Sequence, residues 1–232
     1  MKTPVLLSLC LLLGACSSVP PGPPLETAAA LDGRALLGAP LDPAQLPDDD
    51  PLVLSAPMRR YLDTVAPGVR PERRLAALLD AFEARRFHVE YDAHTTLSAT
   101  ETYRQQRGNC LSFTLMMVAM ARALGADAYF NQVDVPPVWG QDEPQTFVIY
   151  RHINMVSESS RGRRVVDFNL AAYDPIYDQV KLSDAAAVAQ YYSNRGVELM
   201  GQGDRRRAFL YLRKALQLRP GDSDLWSNLG AL

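Results

Sequence analysis

From Cys110 to Leu124 the chain is apolar nearly all round: Leu111, Phe113, Leu115, Met116, Met117, Val118, Ala119 and Met120 follow one another, and Arg122 is the only charge. A helix without a polar face is stable only when other elements cover most of it. This run therefore demands a protein built around a central helix, with Gly125 placed to end it. Gly108-Asn109 leads into the helix, and Cys110 stands at its first turn.

The flanking segments supply the cover. Pro71 opens an amphipathic helix with Leu75, Leu78, Leu79 and Phe82 at helical spacing. Phe87–Tyr91 alternates and reads as a short strand, and Ser98 with Glu101 has capping-box spacing. After Gly125, "AYFNQVDV" reads as a strand. A loop marked by Pro136, Pro137, Gly140 and Pro144 follows. It is expected to give the site a shaped, partly apolar rim that includes Trp139. "TFVIYRHINMVSE" and "RRVVDFN" read as two strands joined at "SSRG". One buried helix on an antiparallel sheet is an α+β arrangement.

The ends differ from this body. "MKTPVLLSLCLLLGAC" has a charged start, a short apolar run and small residues, the pattern of a secretory signal over residues 1–15. Leu13-Gly14-Ala15-Cys16 resembles the lipobox of bacterial lipoproteins, which implies acylation of Cys16. Ser17 rather than Asp follows, which in such lipoproteins implies the outer membrane, facing the periplasm. Residues 16–51, rich in Pro and Ala, are expected to form a lipidated tether, with a short helix near Glu26–Leu37. Residues 52–182 form the expected catalytic domain. The segment 183–232 resembles a tetratricopeptide repeat. Gly196, Leu199, Ala208, Leu212, Ala215 and the closing Pro220 fall at the pattern's positions, and Trp226, Leu229 and Gly230 begin an incomplete second copy. The resemblance implies an all-α hairpin that binds a protein partner.

With Cys10 in the signal and Cys16 lipidated, Cys110 is the one thiol left in the body of the chain. A helix start lowers a thiol's pKa, and its free N–H groups can bind an oxyanion. The base must come from His88, His94 or His152, since the chain has three histidines. His152 lies in an alternating strand, on one face with Asn154, and Asp167 lies in the strand expected to pair with it. Cys110, His152 and Asp167 thus form a nucleophile, a base and a group that orients the base. His88 and His94 have no partner suggested by the sequence. The scattered Cys and His residues lack metal-ligand spacing, so no metal and no other cofactor is expected. The formal charge of −2 argues against nucleic acid as a partner.

The Gly108-Asn109-Cys110 opening, with His152 and then Asp167, resembles the transglutaminase-like superfamily of papain-type thiol enzymes, over roughly Leu75 to Tyr173. The resemblance implies a thiolate that attacks an amide or ester carbonyl of a peptide or protein substrate. The acyl-enzyme is then resolved by water or an amine. It also makes Gln105 and Gln106 candidates for a second oxyanion donor, without a choice between them. Leu111 stands where cross-linking members have Trp, and no calcium loop is evident, so hydrolysis is favoured over cross-linking. Two other readings remain at this stage. One is a scaffold whose domain no longer catalyses. The other is an acyltransferase like the arylamine acetyltransferases, for which a periplasmic address makes coenzyme A an unsuitable donor.

Overall fold

The computed structural model describes residues 27–84, 87–134, 139–143, 146–149, 152–160, 162–168, 174 and 176–232. The expected signal segment, Cys16 and the first part of the tether lie outside them. The chain divides into two compact units, 1–41 and 42–232. In the first, the helix expected near Glu26–Leu37 is two short ones, α1 (Thr27–Asp32) and α2 (Arg34–Leu37). Gly33 between them takes a left-handed conformation (φ 73°), which breaks the helix.

The second unit is a mixed helix-and-sheet body, as an α+β reading requires. In chain order come α3 (Ala56–Val65), α4 (Pro71–Glu83), β1 (Glu90–Tyr91), α5 (Ala99–Gln105), β2 (Arg107–Gly108) and α6 (Cys110–Ala123). Then follow β3 (Asp127–Val133), β4 (Trp139–Glu143), β5 (Thr146–Ile149), β6 (His152–Ser159), β7 (Gly162–Val166) and β8 (Gln179–Leu182). Helices α7 (Asp184–Gly201), α8 (Arg205–Leu218) and α9 (Ser223–Ala231) complete it.

Helix α6 is buried from Leu111 to Ala121 without a break. It packs on β3 and β6, with α5 and α7 also against it. Each fully buried Leu or Met contributes about 1.5–3 kcal/mol, so this helix dominates the core. Strands β7, β6, β3 and β8 form one antiparallel sheet in that order. The stretch read as one strand from Thr146 to Glu158 is instead two: β6 joins the main sheet, while β5 pairs with β4 in a separate ribbon. Trp139 and Gly140, expected in a loop, lie in β4. Pro136, Pro137 and Pro144, which marked the expected loop, lie outside the described residues.

The strand expected over Phe87–Tyr91 shrinks to Glu90–Tyr91, which pairs in parallel with β2, just ahead of Asn109. The capping box at Ser98 is complete: its hydroxyl accepts from Glu101 N, and the Glu101 carboxylate accepts from Ser98 N at 3.0 Å. The end of the expected tether is tied into the body. Pro51 O accepts from Ala99 N at 2.8 Å, and the Tyr191 hydroxyl donates to Asp49 at 3.1 Å. Helices α7 and α8 lie close together at Gly196. A Cβ on Gly196 would sit 2.7 Å from Leu212 Cγ and 3.2 Å from the Ala208 carbonyl, so a larger residue there would force α7 and α8 to shift.

Candidate active site

Cys110 is the first residue of α6 and is half-buried. The turn that delivers it is held by hydrogen bonds at every step. Asn109 is the N-cap, its side-chain oxygen accepting from Ser112 N at 3.0 Å. Its amide nitrogen donates to Thr96 Oγ1 at 2.8 Å, and its backbone N–H to Thr95 O at 3.0 Å. Leu97 N donates to Ser112 Oγ at 2.8 Å. Gly108 adopts φ 152°, and a Cβ there would sit 2.6 Å from the Ser112 Cβ. The Asn109 cap is spent on Ser112 N, and among the described residues no hydrogen bond engages the N–H of Cys110. A free N–H at the positive end of a helix is a ready donor to an anion.

His152 begins β6 and Asp167 stands one residue beyond β7. Met155 pairs with Val166, and one more step of that register sets Asn154 opposite Asp167. His152 lies two residues from Asn154 on the same face, so its ring reaches Asp167 diagonally. The contact is short, His152 Nε2 to Asp167 Oδ2 at 2.6 Å, and the carboxylate side chain is wholly buried. A carboxylate only accepts, so Nε2 carries the proton and Nδ1 is left for the sulfur. Hydrogen bonds to Asp167 and then to Cys110 raise the His152 pKa to about 9, against an opposing effect of burial.

The structure therefore brings Cys110, His152 and Asp167 together. Gln105 and Gln106 are exposed, and neither has a hydrogen bond to Cys110 among the described residues. Gln106 instead lines a separate hollow with Tyr61, Phe87 and Tyr103. His88 and His94 are exposed.

Three supports escaped sequence reasoning. Asn154 is fully buried and donates to Asp167 Oδ2 at 3.0 Å, while accepting from Asn131 at 2.9 Å. A signal for it existed, because Asn154 shares a strand face with His152. Thr114 donates to the Cys110 carbonyl at 2.8 Å, with the Ile153 carbonyl 3.2 Å away, which sets α6 against β6 beside His152. Phe168, next to Asp167, meets Phe113 edge-on at 4.9 Å. Nothing in the local pattern announces the last two, since both depend on partners far along the chain.

Residues 63–134 match the model of the Transglutaminase-like superfamily. This segment is a transglutaminase-like superfamily domain. No curated protein and no solved structure matches the chain. The transglutaminase-like segment runs from α3 to the end of β3 and contains Cys110, whereas β6 and β7, which carry His152 and lead to Asp167, come after it. A transglutaminase-like domain points to thiol-based acyl transfer or hydrolysis.

Proposed function

We propose that this protein is a thiol hydrolase of the acyl-transfer type, acting on an amide bond of a peptide or protein, with Cys110 as nucleophile, His152 as proton carrier and Asp167 as its orienting group. The observation that supports it most is the His152–Asp167 contact of 2.6 Å on an imidazole that also bonds the Cys110 side chain. In this scheme the imidazolium and thiolate form an ion pair. The sulfur attacks the carbonyl carbon, and the Cys110 N–H steadies the oxyanion. The C–N bond then breaks, and His152 gives its proton to the leaving amine. Water attacks the resulting thioester while His152 takes a proton from it, and the C–S bond breaks, which releases the acid and restores the thiolate–imidazolium pair. Asp167 keeps the ring in one tautomer throughout.

In the same reading, lipid on Cys16 holds the protein at the outer membrane facing the periplasm, and α7–α9 serve as a tetratricopeptide segment that presents a protein partner. The lipobox residues support the first, and the close Gly196–Leu212 crossing supports the second. Profiling wild type and Cys110→Ser against a peptide library tests the chemistry. Cleavage products, and an acyl adduct on Cys110 seen by mass spectrometry, are expected for wild type alone. Equal profiles from both proteins would refute it and return the domain to a scaffold role.

A further inference from the structure

We infer that Glu198 is a positioning residue for the Cys110 thiol, holding the start of α6 through the loop of Thr95, Thr96 and Leu97. The inference rests on the thiol reading above and extends it to a helix outside the matched domain.

Glu198 lies on α7, and its side chain is 14% exposed. One oxygen accepts from Thr96 N at 2.6 Å; the other accepts from Arg195 Nη1 at 2.9 Å. The next link is Thr96 itself, 1% exposed, whose hydroxyl accepts from the Asn109 amide at 2.8 Å. Asn109 in turn caps the helix that Cys110 begins. The loop's backbone alternates in direction. Thr95 O and Leu97 N face the Cys turn, at Asn109 N and Ser112 Oγ, while Thr96 N faces α7.

A buried carboxylate is costly unless each oxygen is engaged. Helices that merely pack on a neighbour meet it with apolar side chains. Here the carboxylate takes the Thr96 N–H, while Thr95 N donates to Asp92 O and Leu97 N to Ser112 Oγ in the Cys turn. A short charge-assisted bond of this kind is stiffer than a neutral one. Removing it frees Thr96 to shift, and Asn109 loses its fixed partner. The Cys110 sulfur and N–H then sample orientations in which His152 is out of line.

The test is the iodoacetamide alkylation rate of Cys110 in the full chain, read by mass on the peptide that contains it. Each variant is measured well below its own unfolding transition. Glu198→Ala is expected to slow alkylation about tenfold, the scale set by one charge-assisted hydrogen bond. Glu198→Gln keeps an oxygen for Thr96 N and should restore most of the rate. Thr96→Val keeps the N–H but removes the hydroxyl; it should slow the reaction as well, and the double variant should be no slower than the slower single. A Glu198→Ala protein that melts earlier but alkylates as fast as wild type overturns the inference, as does a Gln variant as slow as Ala. His152→Ala separates the two levels. If it slows alkylation while Glu198→Ala does not, the thiol reading stands and the positioning role falls. If wild type itself reacts no faster than a free thiol, both fall together.

Discussion

The two halves of the candidate site are built on different principles. The sulfur side is one turn of backbone, with Gly108, Asn109, Cys110 and Ser112 near neighbours in sequence, the Asn109–Ser112 bonds spanning three residues and the rest reaching the Thr95–Leu97 loop just upstream. The imidazole side is assembled across strands: His152, Asn154 and Asp167 meet only because β6 and β7 pair in one register, and Asn131 on β3 extends the network. A nucleophile needs a fixed helix end, which local sequence can specify. A base needs a buried carboxylate, which only a sheet with satisfied polar partners can hold. Where the halves meet, Thr114 and the Phe113–Phe168 contact set their separation.

Variants can break either half. The largest loss is expected for Cys110→Ala, which should reduce turnover of a library-selected peptide by about 10⁴-fold or more while leaving the melting temperature nearly unchanged. On the imidazole side, Asp167→Ala should lower turnover by about 10²–10⁴-fold, because the ring loses its tautomer and its orientation. Gly108→Ala tests the sulfur side through the backbone alone. Its methyl would meet Ser112, so stability should fall by about 3 kcal/mol in chemical denaturation. Asn109→Ala removes the cap and should cost about 1 kcal/mol with a slower alkylation of Cys110. An Asn109→Ala protein that loses neither stability nor thiol reactivity would mean that the turn is held some other way.

The same division explains what the sequence disclosed. The apolar run of α6, its start at Cys110, the capping box at Ser98 and the glycine crossing at Gly196 are local or periodic, and all were legible. The His152–Asp167 pair was legible through alternation and a hairpin signal. The division of residues 146–158 into β5 and β6 was not, because the alternation continues through the break and only the pairing with β4 marks it. The bond from Glu198 to Thr96 spans 102 residues, beyond any period a single chain displays. The tether's last residues looked like linker by composition, yet Asp49 and Pro51 are fastened by α7 and α5.

The most direct test of the account is the titration of His152 itself, followed by NMR with His152→Gln for assignment. Folding strengthens proton binding at this imidazole. Its contribution to stability is therefore full below its ordinary pKa near 6.5 and is lost as pH rises through about 9. A midpoint near 9 is expected in wild type. That midpoint should move down in Asp167→Ala, and by less in Cys110→Ala. A midpoint near 6.5 that neither substitution moves would contradict the claim that sulfur, imidazole and carboxylate act as one unit.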